Sequence, residues 1–574
     1  MIFNNSSFFA TYYACRGIIS GLGNHYNQGH IQRYKQIIKW KGSRQVPSFK
    51  RDFDKLFNPK SIAIVGASNL PGKWGFMMSM NVVGGGYRGK IFMINPREKN
   101  ILGFPCYPSI KEIDDEIDLL VVAIPASKVL GIIEEAVEKG IKNAVVVSSN
   151  FAEVGEEGAK LERRLSEVAT AGGLSVVGPN TMGIYSASTD LCCMGAPVYP
   201  LKGNVGFISQ SGNLGIQLMA WGQRRGIGFS RFVGSGNAAN TDIVDFLQYL
   251  GEDPITKTII LYIEGLKDGR RFLDAACHIT PHKPIIALKA GKGSQGQGAV
   301  LSHTGSLAGE FKLFQGMMEQ TGIIEAETTE ELVDLAAAFS SLPVPSGNRV
   351  GVMTLGGGWG VAAADAFDRE GLEMAKLPQA VIEELDKTLP SFWSRRNPVD
   401  IVGNVNRANH FKVLDALASA DDVDIVISMG TLLGRNFWVE NMLKTTIRPL
   451  INMIRFHTLR LPRFELSILK GFREALSRSK ERNPEGSGGI NPNEALQWRD
   501  SVFVSHLRDL MRKEKKPIIT VAVNEGERSA SSLMRDSALF TAATPERAVR
   551  AAGKLATYSR FLSNHSNKAR SSNI

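Results

Sequence analysis

One histidine stands out for the chemistry that its neighbours would allow. His303 lies in the run SHTGS (302–306), between a stretch of small residues and an apolar periodicity that predicts a helix over residues 307–321. There the amides of Thr304 and Gly305 would be unpaired donors at the positive end of the helix, suited to anionic oxygens. A neutral imidazole is a good nucleophile near neutral pH, so this histidine could carry a phosphoryl group. A lone histidine can equally be a capping or packing residue, and its context must decide.

A second stretch offers donors for an anion. In GFISQSGNLG (206–215) an apolar strand ends at Ser209, and a helix follows. Ser211, Gly212 and Asn213 supply hydroxyl and amide donors where that helix begins. Simple capping of the helix by Ser211 would explain its hydroxyl equally well.

A carboxylate follows a neighbouring strand. Glu264 comes directly after the apolar strand 260–263, and the next strand, 285–288, leads through Lys289 towards His303. Both strands end at the same edge of the predicted sheet. A carboxylate there could accept the proton of one imidazole nitrogen and leave the other nitrogen free to attack phosphorus.

The elements that must position these groups follow an α/β pattern. Residues 61–65 are typical of a buried parallel strand that ends in Gly66-Ala67-Ser68. Further strands are expected at 90–94, 118–124, 143–148 and 174–177, alternating with helical stretches. This alternation predicts a doubly wound sheet whose ligand lies at the carboxyl ends of the strands. The glycines Gly66, Gly72 and Gly75 do not fit the G-x-G-x-x-G spacing, and Ile94 is followed by Asn95, so a nicotinamide cofactor is disfavoured.

An internal pseudo-repeat predicts the rest of the architecture. Residues 203–209 and 347–354 each form an apolar strand followed by a glycine-rich turn and an Ala/Leu-rich helix. Two flavodoxin-like domains are therefore expected after the first domain.

Together these motifs resemble the alpha-type subunit of the ADP-forming acyl-CoA synthetases, relatives of succinyl-CoA synthetase. The resemblance spans roughly residues 52–430 and 516–560. The segments that carry it are SIAIVGAS (61–68), INP (94–96), VVAIPAS (121–127), FAEVGEEG (151–158), GPNTMG (178–183), GFISQSGNLG (206–215), LYIEGLKDGRRF (261–272), SHTGSLAG (302–309) and NPVDIVG (397–403).

The resemblance implies an α/β fold in which a Rossmann-like CoA-binding domain precedes two flavodoxin-like domains of the succinyl-CoA synthetase type. It implies a phosphohistidine at His303, supported by Glu264, with phosphate bound by Ser209, Ser211, Gly212, Asn213, Thr304 and Gly305. The implied coenzyme A contacts are Gly66, Ala67, Ser68, Lys73, Asn95, Pro96, Ile124, Pro125, Ser148, Asn150 and Asn180. Backbone donors near Gly66 and the Lys73 cation suit a pyrophosphate, and Ile124-Pro125 offers an apolar wall.

Two regions depart from the family pattern. Asn150 stands where the family usually has glycine, and asparagine tolerates the left-handed conformation better than other residues. The turn 354–360 reads TLGGGWG where family members commonly have an asparagine and a proline. With asparagine at position 150 the turn at the CoA site can still form. The different turn at 354–360 predicts altered subunit docking or an altered substrate range.

The predicted domains are 52–195 for CoA binding, 200–343 for the phosphohistidine domain and 347–560 for the second flavodoxin-like domain, with a basic insertion at about 432–515. Residues 1–51 are a basic extension without Asp or Glu, and 561–574 form a tail. The extension has the composition of a transit peptide, but disorder or a translated upstream region explains it equally. Neither basic segment shows a nucleic-acid motif, although the net charge is +11.

Composition narrows the setting. The 574 residues suggest about three or four domains of roughly 150 residues each. Five cysteines without C-x-x-C spacing favour a reducing compartment, hence the cytoplasm, and argue against a cysteine-based zinc site. No apolar run reaches the length of a membrane span.

The chain shows no segment resembling an ATP-grasp module, so the resemblance implies a hetero-oligomer with an ATP-grasp beta-type partner that binds ADP or ATP with Mg²⁺. The expected reaction converts acyl-CoA, phosphate and ADP into a carboxylic acid, CoA and ATP through an acyl phosphate. The alternative is a non-catalytic CoA-binding, regulatory or scaffold protein with the same fold, including a regulatory module of a protein acetyltransferase. His303, Glu264 and the 209–213 loop favour the enzyme, because a protein that only binds CoA does not need all three of them.

Overall fold

A computed structural model describes residues 52–304, 311–401, 407–430, 492–522 and 539–571, together with positions 534 and 537. The predictions for residues 1–51, for Gly305 and for most of the basic insertion lie outside the described residues. The chain forms two compact units. One contains the residues up to Val344 and those from Lys554 onward, and the other is Pro345–Gly553.

The first unit contains the predicted doubly wound sheet. Its strands are β1 Ser61–Val65, β2 Lys90–Ile94, β3 Asn100–Ile101, β4 Phe104–Tyr107, β5 Leu119–Val122, β6 Asn143–Val146 and β7 Ser175–Val177. They lie in the order β3-β4-β2-β1-β5-β6-β7, and all neighbours are parallel except the antiparallel pair β3–β4. All five residues of β1 are buried, as the continuous apolar run predicts. The strand order reverses at β1, where β2 and β5 flank it, so a crevice is expected at the carboxyl ends of β1 and β5.

A second sheet in the same unit carries the first flavodoxin-like copy. Its strands are β8 Gly183–Ser186, β9 Leu191–Met194, β10 Lys202–Ser209, β11 Phe229–Gly234, β12 Thr258–Ile263, β13 Ile285–Lys289 and β14 Ile324–Ala326. Their order is β14-β13-β12-β10-β11-β8-β9, with the hairpin β8–β9 antiparallel to β11. The hairpin falls inside the range predicted for the first domain, 52–195, yet it pairs with the second sheet. The chain therefore crosses between the sheets before residue 195.

Helices surround both sheets. Those of the first sheet are Asp54–Phe57, Trp74–Gly84, Ala126–Glu138 and Glu156–Ala171, with 3-10 turns at Ile110–Glu112 and Ala152–Val154. Those of the second sheet are Gly212–Arg224, Ile243–Glu252, Gly269–Ile279, Ser294–Thr304, Phe311–Thr321 and Thr329–Ser341. One hydrophobic cluster runs through both sheets. At their junction the rings of Phe57 and Tyr249 stack with centroids 4.8 Å apart, and the buried guanidinium of Arg231 lies 5.8 Å from the centroid of the Phe57 ring. This packing fixes the two sheets as one body.

The second unit repeats the flavodoxin-like pattern. Its strands are β15 Arg349–Thr354, β16 Glu373–Met374, β17 Val399–Asp400, β18 Ile425–Met429, β19 Ile518–Val521 and β20 Thr541–Ala542, all parallel, in the order β16-β15-β18-β19-β20 with β17 beside β15. Its helices are Gly357–Glu370, Gln379–Asp386, Arg407–Ser419 and Pro492–Glu514, and Pro545–Ser571 begins in it. The predicted pseudo-repeat thus corresponds to two sheets built around β10 and β15.

Two predicted boundaries differ from the structure. Helix Pro492–Glu514, inside the predicted insertion, directly precedes β19, and its Phe503 stacks on Phe411 with centroids 5.7 Å apart. It packs against helix Arg407–Ser419 and is therefore part of this unit's fold. Helix Pro545–Ser571 continues through the predicted tail, because its later part is anchored by buried Tyr558, whose hydroxyl donates to the Thr280 carbonyl at 2.7 Å. Among the described helices, none combines the length and apolarity needed to cross a membrane.

Candidate active site

A cavity of about 780 Å³ lies in the first unit, where the carboxyl ends of β1, β5 and β6 face the loop after β10. Ten of the predicted ligand contacts line it: Gly66, Lys73, Ile124, Pro125, Ser148, Asn150, Asn180, Ser211, Gly212 and Asn213. The predicted CoA half and the predicted phosphate half therefore share one space, although they come from different sheets.

The turn after β1 brings three pieces of backbone together. Gly66 has φ +84°, and a Cβ there would lie 2.4 Å from the Ala123 carbonyl oxygen. A Cβ on Gly75 would lie 1.8 Å from the Gly66 oxygen. Only glycine fits at either position, so the first turn of helix Trp74–Gly84 can press against the end of β1. Lys73 lies exposed at the positive end of that helix, where an anionic group would be stabilised.

Four of the predicted CoA contacts, Ala67, Ser68, Asn95 and Pro96, do not line the cavity. Asn95 Nδ2 donates to the Ala67 oxygen at 2.9 Å, and its Oδ1 accepts from the Arg97 amide at 3.0 Å. Buried Ser68 accepts from the Leu70 amide at 3.1 Å. In the structure these side chains hold the β1 loop in shape.

The opposite rim contains two asparagines in the left-handed region. Asn150 has φ +73° and Asn180 has φ +58°, which asparagine tolerates. The left-handed backbone predicted for Asn150 is therefore present. Ser148 Oγ donates to the Ile124 carbonyl at 2.5 Å, and the Asn180 amide donates to the Ser148 carbonyl at 2.9 Å. These bonds tie the ends of β5 and β6 to the turn before β8.

Asn237 links the two sheets below this rim. Its Oδ1 accepts from Asn180 Nδ2 at 3.2 Å, and its own Nδ2 donates to Glu153 at 2.6 Å and Glu162 at 2.8 Å. Burial raises the pKa of Glu153, but hydrogen bonds from Asn237 and from backbone amides outweigh it and lower that pKa overall. A charged Glu153 is thus part of the connection between the sheets.

The loop after β10 is shaped for an anion. Ser209 is buried and donates to the Ser211 carbonyl at 2.6 Å, so this predicted phosphate ligand shapes the loop and does not line the cavity. Ser211 begins the helix Gly212–Arg224, but its side chain makes no capping hydrogen bond. The first-turn amides of Gly212 and Asn213 have no acceptor within the helix and border the cavity. Simple capping by Ser211 is therefore not its role.

Gln210 joins this loop to Glu264. Its Oε1 accepts from the Glu264 amide at 2.5 Å and the Gly265 amide at 3.0 Å, and its Nε2 donates to the Gly265 carbonyl at 2.8 Å. Both turns sit at the carboxyl ends of adjacent parallel strands, β10 and β12. The side chain of one turn thus fixes the backbone of the other.

Glu264 is itself held by half-buried Tyr262 and buried Lys289. Its side chain is only 5% exposed, which excludes the interpretation of a surface glutamate. Burial and the adjacent Glu264 carboxylate raise the pKa of Tyr262 to about 12, and its protonated hydroxyl bonds to that carboxylate. Lys289 Nζ donates to the Glu264 carbonyl at 2.8 Å, while burial lowers the pKa of this lysine. The carboxylate is oriented by its surroundings, as an imidazole-orienting group must be.

The backbone around His303 differs from the prediction. His303 and Thr304 lie in the last turn of a helix, Ser294–Thr304, and not in a loop that leads into one. Ala, Leu and Gln are good helix formers, and Val300 is buried, so the segment forms a helix despite its glycines. The Thr304 amide is therefore not an unpaired donor at a helix N-terminus. The next helix is described at Phe311–Thr321, and Gly305 lies outside the described residues.

Sequence reasoning missed Gln210, Asn237 and Lys289. A signal for Asn237 was present: Ser-Gly-Asn occurs at 211–213 and again at 235–237, after the adjacent strands β10 and β11. Gln210 lies inside a motif in which only the serines, Gly212 and Asn213 were predicted to be functional. Nothing in the sequence separates Lys289 from a surface lysine, because its burial depends on the packing around β13.

Comparison with known proteins agrees with this arrangement. Residues 60–187 match the family described as CoA binding domain, and residues 202–339 match the succinyl-CoA ligase like flavodoxin domain. The chain is 41% identical to the alpha subunit of ADP-forming acetate–CoA ligase II from Pyrococcus furiosus, over 66% of this chain and 82% of that protein. It is 39% identical to ADP-forming acetate–CoA ligase I from Archaeoglobus fulgidus, over 66% of this chain but 55% of that protein.

A solved structure is similar over nearly the whole chain. It is the acetyl-coenzyme A synthetase 1 of Ca. Korarchaeum cryptofilum in complex with phosphate and ADP, with a TM-score of 0.73 and 32% identity, covering 90% of this chain and 98% of that one. The fold and the cavity define a CoA-binding α/β protein of the succinyl-CoA ligase type. The chain belongs to the family of ADP-forming acyl-CoA synthetases and aligns with their alpha subunits.

Proposed function

We propose that this chain is the alpha-type subunit of an ADP-forming acyl-CoA synthetase and that its cavity is where the thioester meets phosphate. The observation that carries the proposal is the shared cavity: the residues predicted for CoA and the amides predicted for phosphate border one space of about 780 Å³. The pyrophosphate of CoA is already assigned to Lys73 and the turn after β1, so the start of the helix Gly212–Arg224 offers a second anion site in the same space.

The chemistry runs in two steps on this chain. Phosphate held by the amides of Gly212 and Asn213 attacks the thioester carbonyl carbon. The carbon–sulfur bond breaks, the sulfur takes up a proton and leaves as CoA, and an acyl phosphate remains. Preorganised amide donors stabilise the charge that develops on the phosphate and carbonyl oxygens.

In the second step we assign the nucleophile to His303, on the basis of the SHTGSLAG motif. An imidazole nitrogen attacks phosphorus, the bond from phosphorus to the acyl oxygen breaks, and the carboxylic acid leaves as its anion. Glu264, held by Tyr262 and by its own backbone contacts, orients the ring and accepts its other N–H. The reverse direction activates an acid with ATP.

The nucleotide step belongs to another polypeptide in this proposal. We propose an ATP-grasp beta-type partner that binds ADP with Mg²⁺ and receives the phosphoryl group, giving a hetero-oligomer. Among the described residues of this chain no group of three or more His, Cys, Asp or Glu is placed to hold a metal ion. No disulfide joins the four cysteines in the described part of the chain, in keeping with the reducing, cytoplasmic location that we propose.

The test is phosphate-dependent cleavage of acyl-CoA by the full chain combined with an ATP-grasp subunit. We expect multiple-turnover release of CoA thiol that requires both phosphate and ADP, with one ATP formed for each thiol released in the steady state. A chain that binds CoA but releases no thiol with any competent ATP-grasp subunit would support the non-catalytic alternative.

A further inference from the structure

Two large apolar side chains, Trp74 and Met182, line the cavity but are not among the residues assigned to CoA or phosphate. Ile124, Pro125 and Val147 follow β5 and β6 and also line the cavity, and the first two of them are assigned to the coenzyme. Trp74 and Met182 form a second apolar wall next to the anion-binding loop.

Trp74 is fixed from behind. It is the first residue of the helix Trp74–Gly84, and 48% of it is exposed although it is a large aromatic residue. Its six-membered ring lies against the backbone of Gly195, where a Cβ would be 2.1 Å from Cζ3. The indole therefore cannot retreat from the cavity. An exposed aromatic surface that lines a cavity is typical of a ligand contact.

Contacts run from Trp74 to the anion-binding loop. The Gly195 amide donates to the Met182 carbonyl at 2.9 Å. The side chain of Met182 lies against Gly212, where a Cβ would be 2.6 Å from its Cγ. Trp74 and Met182 thus form a continuous wall that ends at the first residue of the helix whose amides we assign to phosphate.

We propose that Trp74 and Met182 form the acyl-binding part of the cavity, and that Trp74 restricts the substrates to short aliphatic acyl thioesters. This inference rests on the proposed function. The attacked carbon must lie about 3–3.5 Å from a phosphate oxygen, so the acyl group must begin beside the loop. It then meets Met182 and, further on, an indole backed by Gly195, which closes the space to longer chains.

The alternative role for Trp74 is a stacking platform for the adenine ring, and binding measurements separate the two. In the acyl role, Trp74→Ala removes a barrier that only long acyl groups meet. In the stacking role, the same change weakens CoA and every acyl-CoA alike.

The experiment compares the dissociation constants of CoA, acetyl-CoA and hexanoyl-CoA by calorimetry on the full chain, for wild type, Trp74→Ala and Trp74→Phe. Met80→Ala is the matched control, since Met80 is on the same helix and 38% exposed but does not line the cavity. We expect hexanoyl-CoA to bind the Trp74→Ala variant at least about tenfold more tightly than it binds wild type. The dissociation constants of CoA and acetyl-CoA should stay within about threefold of the wild-type values. Trp74→Phe should fall between, and Met80→Ala should match wild type.

Two results would overturn the inference. An unchanged hexanoyl-CoA affinity would show that Trp74 does not limit the acyl group, and an equal loss for all three ligands would assign it to the coenzyme. Failure of the proposed function looks different: the wild-type chain would bind the three ligands but release no thiol from acetyl-CoA with phosphate, ADP and a competent ATP-grasp subunit.

Discussion

The loops after β10 and β15 share one hydrogen-bond pattern. Ser209 donates to the carbonyl of Ser211 at 2.6 Å, and Thr354 donates to the carbonyl of Gly356 at 2.7 Å. In each case the next amide bonds to the adjacent strand at 3.1 Å. Each loop then begins a helix whose first residue is a glycine. The flavodoxin-like scaffold is therefore repeated down to single hydrogen bonds.

The side chains differ where chemistry would be needed. The first loop has Gln210, which fixes the backbone of Glu264, and Ser211 and Asn213, which line the cavity. At the matching positions the second loop has leucine and two glycines. A helix start alone is thus not a site. We infer that the first copy is functional because it carries polar side chains at this edge of the sheet, on a scaffold that both copies share.

Removing the carboxylate of the first copy should have a large effect. Glu264→Gln keeps the size of the side chain but cannot accept the imidazole proton, so we expect phosphoryl transfer to slow by about 10²- to 10⁴-fold. Single-turnover kinetics with a competent ATP-grasp subunit measures this. The CoA dissociation constant serves as the control and should not change. Turnover at the wild-type rate would remove Glu264 from the mechanism.

Placing a carboxylate in each loop tests the comparison directly. Ser211→Asp puts a negative charge beside the proposed phosphate, and we expect KM for phosphate to rise by about 10²-fold or more, because like charges repel strongly at close range. Gly356→Asp is the matched change in the second loop. Its extended φ of −163° accommodates aspartate as a helix cap, so activity should persist. Equal effects of the two substitutions would contradict the functional difference between the loops.

Exchanging the residues that distinguish the loops should give a smaller effect. Gln210→Leu leaves the amides of Glu264 and Gly265 without their acceptor, which should lower the free energy of unfolding by about 1–3 kcal/mol. Turnover should fall about tenfold as Glu264 loses its fixed position. Leu355→Gln, the reciprocal change, should leave turnover unaffected. Denaturant titration and steady-state kinetics check both, and a fully active Gln210→Leu variant would show that the clamp is dispensable.

Low pH should lower the stability of both units, through a different carboxylate in each. Only the carboxylate of the first unit should also affect the affinity for CoA. The pKa of Glu153 is lowered because hydrogen bonds from Asn237 and backbone amides outweigh the effect of burial, and the pKa of Asp424 is lowered because Arg349 and Ser346 do the same. Because its pKa is lowered in the folded protein, each carboxylate stabilises the fold at any pH above its ordinary pKa, which is 4.5 for Glu153 and 3.8 for Asp424. That stability is lost as the pH falls through the lowered pKa.

Glu153→Gln and Asp424→Asn should therefore each flatten the fall in the urea midpoint on acidification. The two variants should differ in CoA affinity. Glu153→Gln disturbs the link through Asn237 to Asn180 and should lower the affinity for CoA a few fold. Asp424→Asn should leave the affinity for CoA unchanged. A CoA affinity that responds to Asp424 and not to Glu153 would reverse the assignment of the cavity.

The sequence was most informative where the physics is local. Continuous apolar runs predicted β1 and β2 at their observed bounds, and the left-handed tolerance of asparagine predicted the backbone of Asn150. Local patterns were misleading around His303, where glycines suggested a loop and the burial of Val300 favours a helix. The roles of Asn95, Lys289 and Asn237 depend on residues far along the chain, and spacing alone does not reveal such contacts.

The central claim is that His303 carries the phosphoryl group, and radiolabelling tests it most directly. The full chain, incubated with acyl-CoA and radiolabelled phosphate, or with an ATP-grasp subunit and ATP labelled at the terminal phosphate, should acquire a label that is stable in base and lost in acid. Peptide mapping should locate the label on His303. His303→Asn should acquire none and should still bind CoA within a few fold of wild type, since the proposed CoA contacts lie between Gly66 and Asn180. A His303→Asn variant that turns over fully with a competent partner would contradict the phosphohistidine mechanism.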